Sequence, residues 1–243
     1  MQIITSHNAL DFDGLAAMIA AGKLYPSAVP VFSGTLSNRV KQFMALYKDL
    51  LMIKVPKEIN LNEITGMIIV DTAAASRLGH LKGLVEKVGL DFHIYDHHPV
   101  MDGDIRGSIN EIHPVGAATT ILVEKIIERK LTPNAFEATI MALGIYDDTG
   151  SLLFTSTTQR DVSAAAYLLG LGANLQIVAN FMEQPFSGEQ RQLLQNLLQT
   201  SRHYRIKNVD VVIAVAQSEE FISGLDVVTY QLMEVENCDV VFA

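Results

Sequence analysis

The chain has 243 residues, 49% of them hydrophobic, and sets 18 Lys and Arg against 27 Asp and Glu for a formal net charge of -9 at pH 7. That is enough chain to bury a sizeable core in one large domain or two small ones, and too acidic for a broad grip on nucleic acid, which relies on clustered basic residues displacing counterions. The single cysteine, Cys238, excludes an internal disulfide framework and any cysteine-based zinc cluster.

In chain order, Ile3-Ile4-Thr5 reads as a short buried strand, followed by a polar loop from His7 to Asp13 and an Ala-rich helix over 14–25 that Pro26 stops. A second short strand is expected over 29–32 and a helix over 37–48, where Val40, Phe43, Met44 and Tyr47 have helical spacing. The continuous apolar run Met67-Ile68-Ile69-Val70 ends in Asp71, and Ser76 opens an expected helix carrying Leu78, Leu81, Leu84, Val85 and Val88. The alternating run Asp91-Phe92-His93-Ile94-Tyr95 leads into Asp96-His97-His98-Pro99. A further strand over 107–112 and helices over 116–130, 134–144, 157–169 and 175–182 complete the first part.

Short apolar strands alternating with amphipathic helices imply an α/β domain with a mostly parallel sheet buried on both faces. Such sheets bind ligands beyond the carboxyl ends of their strands. His7, Asp71 and Asp96 each stand at such an end, so residues far apart in sequence are expected on one rim.

The stretch Glu183-Gln184-Pro185-Phe186-Ser187-Gly188 breaks the pattern and is read as a domain boundary. The expected organisation is a first domain over 1–185, a connector helix over 186–202, and the start of a smaller α/β domain over 203–243, with strands over 209–216 and 239–242 around a helix over 225–234. The chain stops inside an apolar strand, as expected for a piece of a longer protein. Its first residues lack the basic region and apolar core of a signal peptide. No apolar run reaches the roughly 18 residues a bilayer span requires. The cytoplasm is the expected compartment.

Four separated clusters hold the candidate ligands: His7 with Asp11 and Asp13, Asp71, Asp96-His97-His98, and Asp147-Asp148. Carboxylates and imidazoles without thiols suit Mn²⁺ or Mg²⁺, with Fe²⁺, Co²⁺ and Zn²⁺ less favoured. Two such ions sharing a bridging carboxylate would prepare a water for in-line attack on phosphorus. Bland readings stand beside this one. Asp11 or Asp13 would serve equally as a helix cap, and Asp71 as the start of a turn. The small-residue segment Val115-Gly116-Ala117-Ala118-Thr119-Thr120 fits either a phosphate cradle at a helix N-terminus or a close-packed helix start. No P-loop, dinucleotide fingerprint or nucleophile elbow is present, which disfavours a kinase, dehydrogenase or serine hydrolase.

The four clusters, in this order and spacing, resemble the DHH phosphoesterase superfamily, whose name is the triplet seen here as Asp96-His97-His98. The superfamily includes exopolyphosphatases, family II inorganic pyrophosphatases, RecJ-type exonucleases, oligoribonuclease/pAp phosphatases and cyclic-dinucleotide phosphodiesterases, and the likeness runs over about residues 1–182. The stretch from Ile3 to Met18, Lys23-Leu24-Tyr25-Pro26 and the segment from Arg160 to Leu169 are most similar to the N-terminal DHH module of bacterial proteins that continue with CBS domains and a poly(A) polymerase/tRNA nucleotidyltransferase domain. Residues after about 200 then resemble the start of a DHHA1 substrate domain, without the Gly-rich, His-containing motif expected later in it.

The resemblance implies that His7, Asp11 and Asp71 bind one divalent cation and Asp13, Asp71, His97 and Asp148 a second, with Asp71 as the bridge. Mn²⁺ is the implied cation, with Mg²⁺ or Co²⁺ as substitutes. Asp96 would orient an imidazole and His98 would touch a phosphate oxygen or protonate the leaving group, while Gly116, Ala117 and Thr119 are candidate substrate contacts. The expected activity is hydrolysis of a phosphoester in a nucleotide or short oligoribonucleotide. The alternatives are a nucleotide- or RNA-binding regulatory module with little turnover and a manganese-dependent inorganic pyrophosphatase. Neither a membrane nor sequence-specific DNA is an expected partner, and a homodimer is left open.

Overall fold

The computed structural model describes residues 1–182, 186–218, 222 and 224–243. Glu183, Gln184 and Pro185, within the expected boundary, lie outside the described residues. The chain packs into two compact units, Met1–Glu183 and Gln184–Ala243.

The first unit runs β1 (Gln2–Thr5), β2 (Ala9–Leu10), α1 (Phe12–Leu24), β3 (Val29–Pro30), β4 (Thr35–Leu36), α2 (Asn38–Leu51), β5 (Gly66–Val70), β6 (Asp91–Asp96), β7 (Ile109–Ile112), α3 (Ala118–Glu128), α4 (Ala135–Asp148), α5 (Gln159–Gly170) and α6 (Leu175–Met182). Strands β3-β1-β5-β6-β7 form one sheet in that order, every pair parallel. Thr5 pairs with Ile69, Val70 with Tyr95 and Asp96 with Ile112. That register lines up the carboxyl ends of β1, β5 and β6, so the residues that follow them share one rim.

The mostly parallel α/β sheet expected from the apolar runs is the one found, and both its faces are buried. Ile4, Ile68, Val70 and Tyr95 pack into the helical layer with Leu15, Ala16, Ile121, Leu122, Met141 and Leu168. Ile3, Met67, Ile69, Phe92 and Ile94 point the other way, against Leu78, Leu81 and Leu84. Alternate residues of one apolar strand thus serve opposite layers, as strand geometry requires.

The helix expected from Ser76 is not α-helical. The segment forms 3₁₀ turns at Ala75–Arg77 and Gly79–Leu84. Gly79 sits at φ +56, and a Cβ there would stand 2.4 Å from the Ser33 carbonyl oxygen, so the chain turns where an α-helix would continue. Leu78, Leu81 and Leu84 recur every three residues, the 3₁₀ period, and still reach the sheet.

Other boundaries move by less. Helix α1 begins at Phe12 rather than 14, because Asp11 caps it by accepting from Gly14 N at 3.0 Å. Helix α4 continues to Asp148, which puts Asp147 and Asp148 in its last turn rather than in a loop. The two-residue parallel pair β2–β4 is too short for any periodicity to announce. Where α1 and α4 cross, Gly144 is required: a Cβ there would lie 2.5 Å from the Ala16 Cβ.

The second unit holds α7 (Gly188–Thr200), β8 (Arg202–Ile206), β9 (Val209–Ile213), α8 (Leu225–Glu236) and β10 (Val240–Phe242). Strand β9 is central, antiparallel to β8 and parallel to β10. Leu193, Leu197, Ala214, Val228 and Leu232 form its own small core. Sequence reading missed β8, whose five residues are all exposed and carry no burial alternation.

Candidate metal centre

The rim of the parallel sheet gathers His7 from the turn after β1, Asp11 and Asp13 from the start of α1, Asp71 from the end of β5, His97 and His98 from the loop after β6, and Asp148 from the end of α4. His7 Nε2 lies 3.1 Å from Asp71 Oδ2 and 3.4 Å from Asp11 Oδ1. His97 Nε2 lies 3.4 Å from Asp71 Oδ1, 3.1 Å from Asp148 Oδ2 and 4.0 Å from Asp13 Oδ2. Three overlapping donor groups result, Asp71–His97–His98 at the mouth and the two sets His7–Asp11–Asp71 and Asp13–Asp71–His97–Asp148; in each group one donor atom per residue falls within 4.8 Å of all the others. Asp71 belongs to all three. It is held by its own amide, which donates to the Tyr95 carbonyl at 2.8 Å, in a left-handed conformation at φ 58. A non-glycine residue kept there is a local cost often found at functional sites.

Burial makes this cluster unstable as a set of bare charges. Asp71 Oδ1 and His97 Nε2 are buried and have no aligned hydrogen bond, although each lies within 3.4 Å of the other. Buried polar atoms left this way need an explanation, and donors converging without bonding one another fit a shared cation. Burial alone would lower His7, but Asp11 and Asp71 outweigh it and raise its pKa to about 9. His97 is likewise opposed by burial and raised by Asp148 and Asp71 to about 11. Burial would raise Asp71, yet His7 and His97 hold it down at about 2. Asp13 goes well above the carboxylate range, through burial first and then the charges of Asp71 and Asp148. Asp148 is also raised, chiefly by burial, with His97 opposing and Asp71 and Asp11 adding to it. The acids outnumber the imidazoles, and the excess is what divalent cations would neutralise. Oxygen and imidazole donors without sulfur suit Mn²⁺ or Mg²⁺, so the residues present fit such ions.

The capping roles of Asp11 and Asp13 hold alongside this geometry. Asp11 caps its own helix. Asp13 caps another one: Ala118 N donates to its Oδ2 at 2.6 Å and Thr119 N to its Oδ1 at 3.0 Å. The expected substrate contacts at Gly116, Ala117 and Thr119 are corrected by the same bonds. All three are buried, Gly116 N donates to Asp161 Oδ2 at 2.9 Å, and the amides of Ala118 and Thr119 are spent on Asp13. Three of the amides at the start of α3 are thus bonded from inside the protein, which fits the close-packed helix start.

Asp96 and His98 stand at the mouth. Asp96 Oδ1 accepts from His97 N at 2.9 Å and His98 N at 3.2 Å, and lies 2.7 Å from His98 Nδ1. The imidazole that Asp96 orients is therefore that of His98, leaving Nε2 free. The His97 ring is set instead by its Nδ1 contact with the Val115 carbonyl at 3.2 Å, which reserves Nε2 for the cluster. His98 is 44% exposed and borders a cavity of about 250 Å³ lined by Thr72, Ala73, Arg77, Asp96, Pro99 and Met101.

Three of the other four histidines have side-chain partners elsewhere: His93 with Tyr25 and Asp91, His113 with Glu111, and His203 with Glu236. Sequence reading missed Arg39, whose Nη2 lies 2.5 Å from Asp147 Oδ1. The one local signal for it is a cation in the first turn of α2, where the helix dipole disfavours positive charge.

A doubly covered parallel sheet with an Asp/His cluster on its carboxyl rim defines an α/β protein equipped for divalent cations. The DHH family, N-terminal domain, matches residues 2–145, and the chain belongs to that family. It is 40% identical over 243 residues to an A-adding tRNA nucleotidyltransferase of Geobacter sulfurreducens, covering 100% of this chain and 28% of that protein. It is 30% identical over 240 residues to an A-adding tRNA nucleotidyltransferase of Aquifex aeolicus, covering 99% of this chain and 28% of the relative. The chain thus spans between a quarter and a third of the length of these curated relatives. Among solved structures, an exopolyphosphatase-related protein from Bacteroides fragilis superposes with a TM-score of 0.73 at 17% identity, over 98% of this chain and 73% of its own. That likeness establishes the fold.

Proposed function

We propose that this chain is a divalent-cation-dependent phosphohydrolase acting on a phosphoester of a nucleotide or short oligoribonucleotide, as a module of a longer protein related to tRNA nucleotidyltransferases. The observation that carries the reading is Asp71, buried, shared by both donor sets, and with one oxygen unbonded. His7, Asp11 and Asp71 would hold one cation; Asp13, Asp71, His97 and Asp148 would hold the other. When bound, the cations supply Lewis acidity and charge neutralisation at the phosphoryl group.

The chain's own residues do the rest. His97, fixed through Val115, presents Nε2 to the cluster rather than to solvent. Asp96 holds the His98 ring at Nδ1, which leaves Nε2 facing the mouth, where it would contact a phosphate oxygen or the leaving group. The buried walls around Asp71 exclude bulk water and strengthen each electrostatic contact. The relatives' names favour an RNA or nucleotide substrate, and the cytoplasm is the compartment this reading implies.

The test is hydrolysis with Mn²⁺, Mg²⁺ or Co²⁺, read as phosphate release from pAp and pyrophosphate and as chromatographic separation of the nucleotide products from dinucleotides and cyclic dinucleotides. Chelator-sensitive turnover of a nucleotide substrate is expected. Turnover of pyrophosphate alone would reassign the substrate, and nucleotide binding with no hydrolysis product from any substrate under any of the three cations would replace hydrolysis with a regulatory role.

A further inference from the structure

Arg39 and Asp147 each stand at the unfavourable end of a helix. Arg39 lies in the first turn of α2, at the positive end of its dipole, and Asp147 in the last turn of α4, at the negative end. A local preference broken twice at one place calls for a compensating gain. The gain is a junction. The Arg39 guanidinium reaches Asp147 Oδ1 at 2.5 Å, sits 5.8 Å from the centre of the Phe12 ring, and places Nη1 3.8 Å from Met182 Sδ. The other oxygen of Asp147 accepts from Phe12 N at 3.3 Å, the first amide of α1.

One carboxylate therefore ties the start of α1, which bears Asp11 and Asp13, to the end of α4, which bears Asp148. The Asp147 side chain is only 9% exposed and that of Arg39 28%. Among the described residues, Arg39 is the only Lys or Arg in an ion pair with any of Asp11, Asp13, Asp71, Asp147 or Asp148.

We propose that Arg39 is a positioning residue for the cation centre, holding Asp147 as a strut between α1 and α4 so that Asp11, Asp13 and Asp148 keep the spacing two cations require. The inference rests on reading the cluster as a divalent-cation centre. Electrostatics by itself argues the opposite sign. Deleting a positive charge beside a cation site leaves Asp147 uncompensated and tightens binding, whereas loss of the strut weakens it. The pair also separates from a substrate-binding role, since the effect falls on cation affinity with no substrate present.

The experiment is calorimetric titration of this chain with MnCl₂. Arg39→Gln is expected to weaken Mn²⁺ binding about tenfold, the lower end of what groups that orient ligands contribute. Arg39→Lys, which keeps the charge but loses the planar fork, recovers part of the affinity. Asp147→Asn weakens binding to a similar degree, and the double variant is no worse than either single, as expected of two groups acting as one unit. Melting of each variant with a chelator present corrects the titration for any unfolded fraction. Where Arg39→Gln does not fold, Asp147→Asn carries the same expectation. Unchanged or tighter Mn²⁺ binding in folded Arg39→Gln, alongside normal binding by the parent chain, overturns the strut alone. Failure of the parent chain to bind Mn²⁺ overturns the cation centre and the strut with it.

Discussion

The two halves of the candidate centre are built in different ways. The His7–Asp11–Asp71 set draws two of its three members from one loop and capped helix start, four residues apart, so its geometry is mostly local. The Asp13–Asp71–His97–Asp148 set takes four members from four places in the fold, and each leans on a remote partner: Asp13 on the start of α3, Asp71 on the Tyr95 carbonyl, His97 on Val115 and Asp148 on the strut at its neighbour. The second half also carries more unbalanced acid, with Asp13 and Asp148 both raised in pKa. A local half tolerates rearrangement of the helices. A half assembled from distant elements stores charge repulsion and depends on their packing.

The largest expected effect removes the member common to both. Asp71→Ala is expected to abolish both cation-binding events in a titration and to reduce hydrolysis at least about 100-fold, the upper end for groups on which metal affinity depends. Survival of one intact binding event would show that Asp71 is not shared.

Next comes pH. With no cation bound, His7 and His97 are raised to about 9 and about 11 from ordinary values near 6.5, so their charged forms stabilise the fold. That contribution is fully present below the unfolded value and is lost as pH rises through 9 and then 11. A cation must displace these protons, so Mn²⁺ affinity is expected to climb about tenfold per pH unit between 6.5 and 8.5 for each proton released. Titrations in buffers of different ionisation enthalpy count the protons, and a flat profile over that range would remove the imidazoles from the donor sets.

A smaller effect separates the halves through packing. Gly144→Ala places a methyl against Ala16, pushing α4 from α1. A loss of about 1–3 kcal/mol in urea unfolding is expected from such overpacking, together with weaker binding at the set containing Asp148 and little change at the set containing His7. Equal weakening of both would erase the contrast between local and assembled halves.

The smallest is a gain. Asp148 is raised in pKa, so its ionised form opposes folding above its unfolded value when no cation is present. Asp148→Asn is expected to raise the melting temperature of the chelator-treated chain by ~2–4 °C, the size of a 1 kcal/mol change in a domain of this length, while weakening cation binding. A lower melting temperature would mean the carboxylate is needed by the fold itself.

Much of this was legible from local pattern. The apolar runs at Ile3-Ile4 and Met67 to Val70 announced buried parallel strands, and the polar residues just after them announced the rim. The 3₁₀ turns after Ser76 were not legible, because Leu78, Leu81 and Leu84 suit either helical period and only the approach of Ser33 to Gly79 decides between them. The fate of the α3 amides was legible only as two alternatives: the Gly116 to Thr120 segment suits an anion cradle or a close-packed helix start, and the bonds to Asp13 and Asp161 favour the second. Arg39 left only a faint trace, a cation in the first turn of α2, since its partner lies 108 positions away at Asp147.

What the sequence determined by itself was the alternation of strands and helices, the chemical type of the donors and the rim on which they gather, since these follow from periodicity, side-chain chemistry and strand direction. What only the tertiary structure decided was which caps are internal and which charges are paired. Those depend on distances of 2.5–4 Å between residues 84 and 108 positions apart, and no local pattern in the chain encodes such distances.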